Sequence, residues 1–446
     1  MTTTPRCQPM IAVIKRKRMS KKQTTRLPVP ELLAPAGSFE KLRIAIHYGA
    51  DAVYLGSQRY SLRSHATFPD AELAAAVAHA HSRSVKVYVT VNILARDRDF
   101  AGLDEYLAWL RAATIDGLII ADPGILQRAR QVAPDLPVHL STQANVTNTE
   151  SARFWHQHGV ARLNLARELS LAEIGALKKG MEPGLQLEAF VHGALCISYS
   201  GRCLLSQYLT GRDANYGDCA QPCRYRYALM EEKRPGQFFP VEEDEKGTYI
   251  FNSRDLCLLR RLPDFFAIGV DSLKIEGRMK SVFYVGSVVR VYRAALDYLA
   301  EAAASGESPA AVTLPPQFMT ELALVGTRGY TENFADGPAG AKDMLYDSPR
   351  LPPGAVPAGI VQQMVERADC LLVEVRNPLM PGERLEYLGP GLATESFQIA
   401  GLRSTDGEVL ARANPGSVVR VQTDRPLAAV AANGLLRKEP SCTMKG

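Results

Sequence analysis

From residue 30 onward, short β-prone runs alternate with helical segments, and this rhythm constrains the chain more than any other feature. The runs are Glu31–Pro35, Ala52–Gly56, Val85–Asn92, Gly117–Asp122, Pro137–Gln143, Ala161–Arg167, Leu185–Phe190 and Ser272–Glu276. Helix-like stretches such as Glu40–Tyr48, Ala71–His81, Phe100–Ala113 and Leu171–Lys179 lie between the first seven. Strands and helices alternating at this spacing predict an α/β fold with a parallel sheet. Eight such strands favour a closed, TIM-like (β/α)8 barrel over an open sheet. No Gly-x-Gly-x-x-Gly follows the first strand, which argues against a dinucleotide-binding fold.

The rhythm breaks between the seventh and eighth strands. Residues 194–271 hold five of the eight cysteines and a charged stretch, Glu231–Lys246. An insertion of this size belongs on a loop at the barrel's C-terminal face, where active sites are built. The predicted organisation is a flexible basic arm over 1–29 and a barrel over 30–303, closed by a long helix, Val282–Ala303. A Gly/Pro/Ser-rich linker (304–353), a small all-β barrel domain (354–436) and a tail (437–446) follow.

The net charge of +5 is unevenly spread. Residues 1–28 hold eight Lys/Arg and no Asp or Glu, so the rest of the chain is close to neutral at −3. The arm could hold nucleic acid phosphates non-specifically; the plainer reading is a dispensable leader. Eight cysteines in 446 residues are too few for a disulfide scaffold. With no apolar signal peptide and no stretch of about 18 apolar residues, a cytoplasmic protein outside the membrane is expected.

Cys196-x6-Cys203 and Cys219-x3-Cys223 place four thiols within 28 residues. A four-thiolate set suits zinc or an iron–sulfur cluster, and the long first spacing suits a cluster better. Cys257 sits in an apolar run and reads as core; Cys7, Cys370 and Cys442 read as small buried hydrophobes. Polar residues gather at predicted strand ends, which share one rim in a parallel barrel: Asn92, Asp122, Gln143, Arg167, Glu188, His192, Glu276 and Arg278. His192 is a candidate general acid or base, or else a packed histidine. Alternation puts Lys274, Glu276 and Arg278 on one face, to bind an anion or to form a buried ionic layer. Neither a Gly-x-Ser-x-Gly elbow nor a His-Glu-x-x-His helix is present.

Glu188-Ala-Phe-Val-His-Gly-Ala-Leu-Cys196-Ile-Ser-Tyr-Ser-Gly-Arg-Cys203-Leu-Leu-Ser206 resembles the signature of the collagenase-like U32 peptidase family. Glu31–Gly37, Gly49–Gly56, Asn215–Arg224 and Ser272–Ser281 are similar to further blocks of that family. The resemblance runs from residue 30 to about 435 and includes the family's small C-terminal β domain. It implies an iron–sulfur protein that hydroxylates RNA or a quinone precursor, although the family is named for proteolysis. The length and domain order are most similar to the branch that supports 5-hydroxyuridine formation at the tRNA wobble position, with prephenate required.

On that resemblance Cys196, Cys203 and Cys219 match ligands of a [4Fe–4S] cluster, with Cys223 the fourth and Cys257 the reserve. His192, Glu276 and Arg278 are the candidate catalytic residues. Asn92, Gln143, Arg167, Lys274 and Arg224 are the candidate substrate contacts, with Arg226 beside them. The expected partner is tRNA, and a family paralogue is a further one. A metal-dependent peptidase, a quinone-precursor hydroxylase and a non-catalytic subunit that needs a family partner stay open as alternatives.

Overall fold

The computed structural model describes residues 28–438 except 63–65, 196–202, 215–216, 225–227, 231–232, 234, 237, 241–251, 326–328, 340–343, 346–353 and 365–368. Seven strands, β1 (Glu31–Pro35), β2 (Ala52–Gly56), β3 (Lys86–Val91), β4 (Gly117–Ile120), β5 (Val138–Leu140), β6 (Val160–Asn164) and β7 (Gln186–Gly193), run parallel in sequence order. An eighth, Ser272–Ile275, pairs with both β7 and β1 and closes the barrel. Helices cover the outside: α1 (Phe39–His47), α2 (Asp70–His81), α3 (Leu103–Ala112), α4 (Pro123–Val132), α5 (Thr149–Gln157) and α6 (Leu171–Gly180). Strands covered on both faces need apolar residues throughout, and β2 and β4 are buried at every position.

Helix starts are set by side chains that accept the first free amides. Ser38 caps α1, Asp122 caps α4, Asn148 caps α5, and Ser170 with Glu173 forms a capping box on α6. Asp122, expected on the rim, is therefore occupied: its Oδ1 accepts from Gly124 N at 2.8 Å and Ile125 N at 3.0 Å.

The insertion after β7 adds a strand, Asp255–Cys257, antiparallel to β7. Described parts of the Gly/Pro/Ser-rich stretch beyond the long helix Val282–Ala304 hold regular structure. Helix Gln317–Ala323 buries Phe318 and Leu322 against the barrel, and Tyr330–Thr331 pairs with Asp255–Leu256.

Six antiparallel strands form a second, closed barrel: Pro357–Met364, Cys370–Val375, Arg384–Leu388, Thr394–Ser404, Val418–Thr423 and Leu435–Lys438. It has its own apolar core, including Val373, Leu385, Phe397 and Val421. The closing strand, four residues long, carries no period of its own and extends the domain to Lys438. The two barrels are joined by buried polar contacts. Tyr48 donates its hydroxyl to Leu388 O at 2.7 Å and accepts from Leu435 N at 2.8 Å. Arg290, on the long helix, donates to Gly389 O at 2.6 Å and Ala393 O at 2.8 Å. Arg290 and Arg437 both pair with Glu321 at 3.0 Å. Among the described residues, no helix is long and apolar enough to cross a membrane.

Candidate active site

Inward-facing side chains of β1, β6, β7 and the eighth strand fill the barrel with charge. Arg162 Nη1 lies 2.6 Å from Glu31 Oε1 and 3.4 Å from Glu188 Oε2, and Lys274 Nζ lies 2.8 Å from Glu188 Oε1. Tyr88 and Ser272 donate hydroxyls to Glu31 at 2.8 and 3.1 Å. Burial of such charges is tolerable only where opposite signs alternate and the remaining lone pairs find donors, as here. Burial lowers the Lys274 pKa, and Glu188 opposes that shift. Lys274 and Glu188 thus belong to an ionic plug beneath the rim; Lys274, expected to contact substrate, is committed to Glu188.

Above the plug, Tyr54 donates to Ile275 O at 2.9 Å and to Glu276 Oε2 at 3.2 Å. Lys274 Nζ and the Arg278 guanidinium lie 4.5 and 5.8 Å from the Tyr54 ring centre. Lys274, Glu276 and Arg278 therefore share one face, and Tyr54 is what they face. Arg278 donates to Ser61 Oγ at 3.0 Å, to Thr90 Oγ1 at 3.2 Å and to Leu62 O. Gly56 makes room for this clamp: a Cβ there would stand 2.0 Å from Ser61 Oγ and 2.5 Å from Arg278 Nη1. Arg278 is a buried positioning group that holds the loop after β2.

Asn92 and Gln143 meet on the same rim. Asn92 Nδ2 donates to Gln143 Oε1, and Gln143 Nε2 returns a bond to Asn92 O, both at 2.9 Å. Asn92 Oδ1 accepts from Leu62 N at 3.3 Å, which ties this pair to the Arg278 clamp. Arg167 lies 4.0 Å over the Phe190 ring and donates Nη1 to Ala194 O at 3.2 Å, while its buried Nε has no partner. Glu276, Arg278, Asn92, Gln143 and Arg167 thus surround the mouth, with Tyr54 and Phe190 beneath them.

His192 is not among them. The eighth strand pairs Lys274 with Phe190 and Ile275 with His192, so β7 carries one extra residue. This bulge flips the alternation that would have put His192 inside. The ring instead lies outside the barrel wall, with Nδ1 3.3 Å from the Tyr292 hydroxyl and its ring near Tyr284 and Tyr330. It is buried, Nε2 has no partner, and desolvation pulls its pKa down to about 3. This is the surrounding of a packed neutral histidine.

Of the cysteines, Cys196 lies outside the described residues, as do Cys7, Cys442 and Arg226. Cys203 precedes helix Leu205–Thr210, which packs against the turn Pro222–Arg224 containing Cys223. Nothing is described of the Arg224 side chain. Cys219 Sγ accepts from Gln221 N at 3.4 Å, and Ala220 N donates to Ser206 Oγ at 2.9 Å. Sulfur donors drawn from one loop are the ligand type that suits a thiophilic centre. Among the described residues, no three His, Cys, Asp or Glu converge on a metal position, and Cys196 is not in that set. Cys257 is different: it is buried beside Tyr292, opposite His192, and burial pushes its thiol up to about 11. Cys370 opens a strand of the small barrel and is half-buried.

Tyr54, Thr90 and Phe190 escaped the sequence reading because strand aromatics and threonines read first as core. Period-two alternation within Ala52–Gly56 is the signal that puts Tyr54 inside.

The family model described as Peptidase family U32 matches residues 37–345, and that of the family's C-terminal domain matches 357–437. The tRNA hydroxylation protein P1 of Bacillus subtilis is 37% identical over 401 residues, 89% of this chain and 93% of its own. The tRNA hydroxylation protein P of Escherichia coli is 34% identical, covering 85% of this chain and 90% of its own. The 23S rRNA 5-hydroxycytidine C2501 synthase of Escherichia coli is 33% identical, over 80% of this chain and 52% of its own.

Proposed function

This chain belongs to peptidase family U32, and on that premise we propose that it is an RNA hydroxylase acting on tRNA, forming 5-hydroxyuridine at the wobble position with prephenate required. The observation that supports this most is similarity at 34–37% identity to proteins named for tRNA hydroxylation, across both domains and nearly their whole length. The rRNA 5-hydroxycytidine synthase extends the same theme to a second RNA. We further propose that Cys196, Cys203, Cys219 and Cys223 hold a [4Fe–4S] cluster. Such a centre, when bound, supplies redox or Lewis-acid chemistry beside the barrel mouth.

The chain's own residues then divide the work. Arg278 and Gly56 fix the loop after β2, and Asn92 with Gln143 presents amide edges suited to the rim of a nucleobase. Arg167, over the Phe190 ring with an unpartnered Nε, is suited to a carboxylate such as those of prephenate. Arg224, next to Cys223, is placed in sequence to meet a phosphate. Glu276, bonded to Tyr54, is a carboxylate on the rim able to take a proton from a bound ligand. The peptidase reading rests on the family name; His192, walled in by tyrosines, is not poised to activate water.

The test is mass spectrometry of tRNA nucleosides from a strain lacking this gene, with and without a plasmid copy. Loss of 5-hydroxyuridine restored by the plasmid supports the reading. Unchanged 5-hydroxyuridine in the deletion, with cleavage of gelatin by the purified protein, replaces it with the peptidase.

A further inference from the structure

We infer that the Asn92–Gln143 pair sets the base specificity of the mouth, accepting uracil and rejecting cytosine at the C4 substituent. The inference rests on the reading of this chain as an RNA hydroxylase and names the residues that choose its base.

The two side-chain amides are held head to tail by backbone groups that can each play only one part. A carbonyl only accepts, so Asn92 O draws Gln143 Nε2 toward itself, at 2.9 Å. A backbone N–H only donates, so Leu62 N fixes Asn92 Oδ1, at 3.3 Å. Asn92 Nδ2 is left facing Gln143 Oε1, again at 2.9 Å. The buried Ser141 hydroxyl donates to the same Oε1 at 2.9 Å. Turning either amide over would set donor against donor and acceptor against acceptor, which costs both bonds.

This fixed orientation gives the pair a one-sided polarity. A side-chain amide has two hydrogens on nitrogen and two lone pairs on oxygen. Gln143 Oε1 uses both lone pairs, on Asn92 and on Ser141, and Asn92 Oδ1 uses one on Leu62. Among the described residues, one hydrogen of Gln143 Nε2 and one of Asn92 Nδ2 have no acceptor. Gln143 is the more exposed of the two, so its Nε2 is the donor within reach of a ligand. Arg167 Nε, buried and unpartnered on the same mouth, is a donor as well.

Uracil and cytosine are alike in size and opposite in polarity here: uracil carries a carbonyl at C4, cytosine an amino group. Amide donors meet the uracil O4. Cytosine sets its own hydrogens against them, and both sides stay unpaired. Glu276, a carboxylate on the same mouth, suits the N3–H that uracil has and cytosine lacks. A site built from hydrogen-bonding groups rejects the wrong polarity far more strongly than an apolar pocket rejects a change of size.

The experiment uses the deletion strain, with plasmid copies of wild type, Gln143→Glu or Gln143→Leu. Each strain expresses one reporter tRNA in two forms that differ only in uridine or cytidine at the wobble position. Mass spectrometry reads the hydroxylated fraction of each reporter, and immunoblots read protein level. Wild type should favour the uridine form by about 10²-fold. Gln143→Glu should lower that ratio by roughly tenfold or more, with less 5-hydroxyuridine and more 5-hydroxycytidine, since its carboxylate accepts from the cytosine amino group. Gln143→Leu removes the donor without adding charge; it should lower the ratio too, and it carries the test where the Glu variant does not accumulate. A ratio that stays at the wild-type value in the variants, with both products falling by one factor or neither falling, overturns the specificity role and leaves the proposed function standing. Wild type that hydroxylates both forms equally does the same. Wild type that leaves the uridine form unmodified overturns the proposed function, and this inference with it.

Discussion

Arg278 and Asn92 grip the same residue: Arg278 donates to the Leu62 carbonyl, and Asn92 Oδ1 accepts from the Leu62 amide at 3.3 Å. One group comes from beyond the eighth strand and the other from the end of β3, so the loop after β2 is held across the mouth. Arg278→Lys keeps the charge but cannot reach Ser61, Thr90 and Leu62 together. The expected result is a fall in kcat/KM of roughly 10² with a loss of stability of about 1–3 kcal/mol. A steady-state assay of tRNA hydroxylation showing unchanged kcat and KM rules out a positioning role.

The cluster assignment separates two groups of thiols. Cys203→Ala, Cys219→Ala and Cys223→Ala should each abolish visible absorbance and 5-hydroxyuridine together. Cys257→Ala and Cys370→Ala should keep both, since a buried thiol pushed up to about 11 is a poor thiolate source. Iron content measured on anaerobically purified variants decides, and loss in Cys257→Ala alone moves the fourth ligand there.

Acid stability should follow the buried histidine. Burial lowers His192 from 6.5 to about 3, so below pH 6.5 the unfolded chain takes up a proton that the folded chain refuses. Stability should then fall by up to about 1.4 kcal/mol per pH unit from this group between pH 6.5 and 3, and be unaffected by it above pH 7. Urea titrations of wild type and His192→Phe across that window test the slope. Equal slopes exclude the assignment.

The domain junction should be stability-critical. Arg290 is buried, bonds two carbonyls of the small barrel and pairs with Glu321. Arg290→Ala leaves those acceptors bare and should cost about 3–5 kcal/mol. Calorimetry would show a lower melting temperature, and a single unchanged transition would mean that the contact carries little.

The eight barrel strands were legible because parallel strands buried on both faces must read as apolar runs. The shared face of Lys274, Glu276 and Arg278 was legible too, since alternation survives through that segment up to Tyr54. His192 was not: nothing in Phe190-Val191-His192 announces the bulge that turns the ring outward, which depends on pairing with Ile275. Lys274 carried two readings, and only the distance to Glu188 separates them.

Glu31, Arg162, Glu188 and Lys274 close the barrel axis. The barrel is therefore a partition and not a conduit: no solute or strand passes from one end to the other along its centre. Whatever enters at the cysteine loop leaves on that side, and occupancy of the two ends is sterically independent. Any influence of one end on the other must travel through the surrounding helices or along a ligand that reaches around the outside.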